Sequence, residues 1–95
     1  MIEYRLGYFA TSLCGHDKGK TYMIVDTKGE MIGLCDGTRK VLDNLKWKKK
    51  KHIQMIRSER MAEAFPVLIS SKDANQRIRE EISRIEKRKE RKQED

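Results

Sequence analysis

The stretch GYFATSLCGHDKGKTYMIV, residues 7–25, decides the fold. Its first part lies within a run, residues 4–13, that is rich in aromatic and β-favouring side chains and ends at the turn cluster Gly15-His16-Asp17-Lys18-Gly19. Residues 21–25 are short and almost continuously apolar, the pattern of a strand buried on both faces. Between them, Gly15 and Gly19 allow backbone conformations closed to β-branched residues. Asp17 is placed to close the turn through its side chain. Lys18 and Lys20 flank the loop with positive charge.

Working outward, Lys28-Gly29 breaks the second strand and residues 31–35 read as a third. Asp36-Gly37 is a tight-turn signal, because glycine tolerates positive φ. Residues 39–42 follow as a short fourth strand, and residues 52–56 as a fifth after a lysine run. Five short strands with no helix between them predict a mainly β fold, a small antiparallel barrel over residues 1–57. Residues 58–70 read as a connecting segment. In it Ser58 caps a helical turn through Glu59, Met61 and Ala62, Pro66 stops it, and residues 67–69 lie extended on the barrel. Residues 71–95 read as a charged C-terminal α-helix, entered through serines and Asp73. Ala74, Ile78, Ile82 and Ile85 form its one apolar stripe.

Length and charge narrow the function. Ninety-five residues bound the chain to one small domain with a thin core. Sixteen of the last 25 residues are charged, which marks the solvated helix. The 25 residues from Asp36 to Arg60 carry nine basic and three acidic side chains, +6 of the total +7. So concentrated an excess is the footprint of a polyanion partner, against the plainer reading of a solvated face. No apolar run approaches the ~18 residues of a membrane span. The region before Leu13 lacks the basic start of a signal peptide, and Glu3 precedes it. Two cysteines make no secreted disulfide framework, so a cytoplasmic protein with reduced thiols is expected.

Several chemistries are set aside on their residues. Gly15-x-x-x-Gly19-Lys20-Thr21 has one residue too few for a phosphate-binding P-loop, and a strand follows it where a helix is required. Cys14, His16, Cys35 and His52 are all the cysteines and histidines present, and their spacing lacks the paired knuckles of structural zinc sites. No nucleophile motif is present, and so small a barrel leaves little room for a water-excluding pocket. No enzyme activity, metal or cofactor is expected.

Residues 7–25 resemble a KOW motif: a strand ending in glycine, a polar loop with Asp17-x-Gly19, and an apolar strand leaving it. The likeness extends through Asp36-Gly37-Thr38-Arg39, the lysine run and Lys51-His52-Ile53. That order resembles the subgroup of archaeal and eukaryotic large-subunit ribosomal proteins fourteen, six and twenty-seven, with their short bacterial relatives. It covers residues 5–56. The resemblance implies an SH3-like barrel that associates with RNA. His16 departs from the arginine common there, Cys14 and Cys35 are not part of the motif, and residues 57–95 carry no likeness beyond a terminal helix.

The strongest signal independent of that likeness is Lys46-Trp47-Lys48-Lys49-Lys50-Lys51-His52, five lysines around the only tryptophan. Lysines contact phosphates as point charges, and an exposed indole stacks on an unpaired base. Alternatively, Trp47 anchors the core and the lysines are its solvated flanks. With Lys18, Lys20, Arg39, Lys40 and His52 these residues form the expected RNA-binding set, held in place by Gly15, Asp17, Gly19, Asp36 and Gly37. The expected function is non-catalytic binding of structured RNA, most of all ribosomal RNA of the large subunit, read by shape and phosphates. The alternative is a protein-interaction module of the SH3-like or NusG type in transcription or translation. Ile78, Ile82 and Ile85 would be its docking stripe if they do not pack on the barrel, and the helix cations would lie along RNA only against their interleaved glutamates.

Overall fold

The computed structural model describes residues 4–94, with side chains through Lys89. Five strands come first: β1 (Phe9–Ser12), β2 (Thr21–Lys28), β3 (Met31–Cys35), β4 (Lys46–Lys49) and β5 (Ile53–Ile56), with a 3-10 turn Lys50–His52 between the last two. Two helices follow, α1 (Glu59–Ile69) and α2 (Ala74–Glu94). All neighbouring strands are antiparallel, in the order β4-β3-β2-β1-β5.

Strand alternation sorts the apolar residues onto two faces. Phe9 lies opposite Met23 on one side and Ile56 on the other, while Ala10 lies opposite Tyr22 and Met55. The Phe9 face, with Met23, Val25 and Cys35, is covered by Met61, Phe65 and Leu68 of α1 and Ile78 and Ile82 of α2. Tyr8, Ala10, Tyr22, Ile24, Ile32, Leu34 and Ile53 cluster on the other face, where Ala62 is the one helical member. Tyr22, Ile24, Ile32 and Leu34 are nonetheless 0–2% exposed. A flat sheet would leave that face wet, so the sheet must curl and cover it with its own outer strands. A register shift at Val25, between Ile24 and Asp26, supplies a bend in the long second strand. Among the described residues β4 and β5 do not pair, so the sheet is curled but not closed into a barrel.

Three sequence expectations change here. The fourth strand is not residues 39–42 but Lys46–Lys49. Asp36-Gly37 does turn the chain, but the Asp36 carboxylate accepts the N–H groups of Thr38 and Lys40, at 2.8 and 2.9 Å. The Leu42 N–H is taken by the Asn75 side chain of α2 at 3.0 Å, so it is not free for a ladder. Second, the helical turn after Ser58 does not stop at Pro66 and residues 67–69 are not extended: α1 runs straight through Pro66 to Ile69. A mid-helix proline costs about 3 kcal/mol. Met61, Phe65 and Leu68 each return about 1.5–3 kcal/mol on burial, so the helix wins. Ser58 occupies the N-cap position without a side-chain capping bond. Third, of the two readings of the α2 stripe, packing against the sheet holds and the free docking face does not. Ile78 is 1% and Ile82 9% exposed against the sheet, and Ile85 is packed at the edge of the same cluster.

The packing separates the two thiols. Cys35 is fully buried, and burial, assisted by the Asp36 carboxylate, pushes its thiol up to about 11. Cys14 is half-buried. A thiol reagent at neutral pH is expected to modify Cys14 in the native protein and Cys35 only after unfolding, giving one fast and one denaturant-dependent equivalent. Two fast equivalents would contradict the packing around Cys35.

Candidate functional site

The loop of residues 13–20 is built around one carboxylate. Asp17 Oδ1 accepts from the Ser12 hydroxyl at 2.8 Å, and Oδ2 accepts from the Tyr22 hydroxyl at 2.7 Å. The strands flanking the loop thus each lend one hydroxyl, five residues before and five after Asp17. Lys48 Nζ lies 3.2 Å from Oδ1 and Lys46 Nζ 3.7 Å from Oδ2. Lys48 also donates to the Cys14 carbonyl at 2.9 Å. Gly15 and Gly19 both stand at φ +89°, a backbone conformation that favours glycine. The Ser12 and Gly19 backbones close the loop base, with Gly19 N–H on Ser12 O at 2.8 Å and Ser12 N–H on Lys20 O at 2.9 Å.

Burial alone would raise the Asp17 pKa. The hydrogen bonds from Tyr22, Ser12 and Lys48 and the charge of Lys46 outweigh it and hold the carboxyl well below the usual range. Burial and the adjacent Asp17 carboxylate push the Tyr22 phenol far up, so it stays a donor. Asp36 is likewise held low, because Lys20 and the Thr38 and Lys40 N–H groups overcome its desolvation.

These contacts divide the expected site residues. The lysine run is a strand, and a strand presents successive side chains to opposite faces. Lys46 and Lys48 stand opposite Leu34 and Ile32, on the inner face, and their ammonium groups are spent on Asp17. Lys48 is 11% exposed, so it is a structural residue of the loop rather than a surface cation. Trp47 and Lys49 stand opposite Gly33 and Met31, on the outer face. Trp47 belongs to neither core cluster. It lies half-buried across Gly33, with the Lys28 ammonium 5.0 Å from the ring centroid. Trp47 is therefore neither a fully buried core residue nor a bare exposed indole, since a cation shares its ring.

The loop is the hub that gathers the remaining cations. Its Leu13 N–H donates to the His52 carbonyl at 2.9 Å, which brings Lys51 and His52 beside it. On its other side Lys20 pairs with Asp36, which brings Arg39 and Lys40 near. Lys18, Arg39 and Lys51 are exposed, with no carboxylate partner among the described residues. Lys50 turns aside, with its ammonium 5.3 Å from the Tyr4 ring centroid. Lys28 escaped the sequence reading because nothing local joins it to Trp47; only the β2–β3–β4 register does. Ser12 and Tyr22 were legible in principle, as hydroxyls spaced evenly about Asp17.

Among the described residues no three His, Cys, Asp or Glu side chains come together as a metal site, and no helix is long and apolar enough to cross a membrane. No protein-family model matches the chain, and neither does any curated protein.

Proposed function

We propose that this is a non-catalytic RNA-binding protein of the KOW, SH3-like class, associated with ribosomal RNA of the large subunit. The observation that carries the reading is a loop locked by Asp17 with exposed, unspent cations on three sides: Lys18, Arg39 and Lys51. A rigid basic surface needs no reordering to meet a backbone of phosphates, which favours recognition by shape. The SH3-like assignment is supported by the strand order, in which β5 returns to β1, and by the single 3-10 turn between β4 and β5. Trp47 and Lys49 extend the surface around the β4 edge, where Lys28 beside the indole adds a further cation.

The test is a salt titration of binding to duplex ribosomal RNA fragments. With about six phosphate contacts, log affinity falls with log salt at a slope of roughly −4 to −5. Replacing Lys18, Lys49 and Lys51 by glutamine is expected to flatten that slope by about two while leaving thermal stability within about 0.5 kcal/mol. A wild-type slope near zero would sink the mechanism.

A further inference from the structure

A second basic surface lies on the helix-covered face of the sheet, at the Ile56 end of β5, whereas the first surface meets the start of β5 at His52. Arg57 and Arg60, just after β5, face Arg84 and Arg88 of α2 across a groove floored by Phe9, Ile56 and Ile85. The groove continues past Arg60 and Arg84 to Arg77. Two carboxylates also line it. Glu81 is occupied, accepting from Arg60 and from Arg84 at 2.9 Å each, and Glu80 stands exposed on the rim. Glu59, outside the groove, holds Arg57 at 3.3 Å and also takes Arg5 and Tyr8. With Glu59 counted beside the Arg57 it holds, five arginines stand against three glutamates, and the groove remains positive. One of the glutamates that in the bare sequence argued against an anion along α2, Glu81, is thus consumed as a support for Arg60 and Arg84.

The identity and spacing of these cations point to one ligand class. Arginine presents a planar fork that matches phosphate oxygens in pairs, and every cation of the groove is an arginine, whereas the first surface joins Arg39 to Lys18 and Lys51. Arg77, Arg84 and Arg88 are strung over eleven residues of α2, about 16 Å of helix. A lone phosphoryl group needs converging guanidiniums. A nucleic-acid strand, with a charge about every 3.4 Å along its axis, suits a row.

We propose that the arginine groove between β5, α1 and α2 is a second site for an RNA backbone, so that one molecule joins two RNA segments. The inference rests on the reading above that the ligand is RNA. The test mixes the full chain with two short RNA duplexes carrying a donor and an acceptor dye, and reads both stoichiometry and energy transfer.

The wild type is expected to hold two duplexes and bring the dyes together. Arg84→Gln with Arg88→Gln should retain one duplex, lose the energy transfer, and weaken the groove site about tenfold or more. Arg77→Gln with Arg88→Gln leaves both ion pairs of Glu81 in place and should do the same, which keeps the result readable if loosening Glu81 disturbs the fold. The Lys18, Lys49, Lys51 glutamine variant should also fall to one duplex, now in the groove. A wild type that binds a single duplex, unchanged in both arginine variants, overturns the inference and leaves the first surface standing. A lysine variant with wild-type binding, beside arginine variants that bind nothing, overturns the first surface instead and makes the groove the RNA site. Capture of a phosphoserine peptide by the groove, with RNA binding unaffected by its arginines, also overturns the inference.

Discussion

Asp17→Ala is expected to cost about 3 kcal/mol of folding stability, a fall in Tm of roughly 12–24 °C for a domain of this size. The loss is not of one hydrogen bond. Removing the carboxylate leaves the Lys48 ammonium without its counter-charge in an 11% exposed position and the Tyr22 hydroxyl without its acceptor, while Ser12 keeps only the Cys14 carbonyl at 3.0 Å. Replacing the pair together, Asp17→Ala with Lys48→Met, should recover much of the loss, because no buried charge remains. If the double variant is as unstable as the sum of the singles, the pair is not what holds the loop.

The pH dependence follows in sign. The Asp17 and Asp36 carboxyls are held low in the folded state, so in acid the unfolded chain binds protons first. Their stabilisation is complete above about pH 5 and is lost as pH falls through the depressed folded values. Urea unfolding between neutral pH and strong acid should show that decline, and Asp17→Ala should blunt it.

Gly37→Ala is expected to be at least as damaging, by about 3–4 kcal/mol, and its effect should appear in α2. Gly37 stands at φ +79°, where a side chain costs about 1–2 kcal/mol. A Cβ there would also lie 2.1 Å from the Asn75 carbonyl oxygen and 3.0 Å from the Arg79 amide nitrogen, both backbone atoms of α2 that cannot rotate away. Overpacking of that kind adds roughly 1–3 kcal/mol. Arg79 donates to the Gly37 carbonyl at 3.0 Å, so the same contact now holding the helix down would pry it off. Gly19→Ala is the control: its φ is +89°, but a Cβ there meets nothing within 4 Å. It should show the backbone cost alone. Equal Tm losses in the two variants would mean that α2 does not press on Gly37.

Much of this arrangement was legible in the residues. β1, β2 and β3 follow from apolar runs bounded by glycine, β5 from the return of apolar residues after the lysine run, and the Gly15–Gly19 loop turns as its composition required. β4 was hidden because its inward positions, normally apolar, are Lys46 and Lys48, and their partner Asp17 lies some thirty residues away. Charge concealed the period of two. α1 was cut short by giving Pro66 more weight than the helical spacing of Met61, Ala62, Phe65 and Leu68, although that spacing was present in the sequence. The arginine groove could not be read locally, since it unites residues 57–60 with residues 77–88 and depends on which way α2 lies.

The open seam between β4 and β5 leaves two strand edges with unpaired backbone groups. Such edges invite another copy of the chain to extend the sheet. Lys49 of β4 and Lys51 just beyond it stand exposed on that rim, so two approaching copies repel there before any ladder can form. An RNA that neutralises this rim also lowers the barrier to self-assembly there, which ties the molecule's solubility to the ratio of protein to polyanion rather than to its concentration alone.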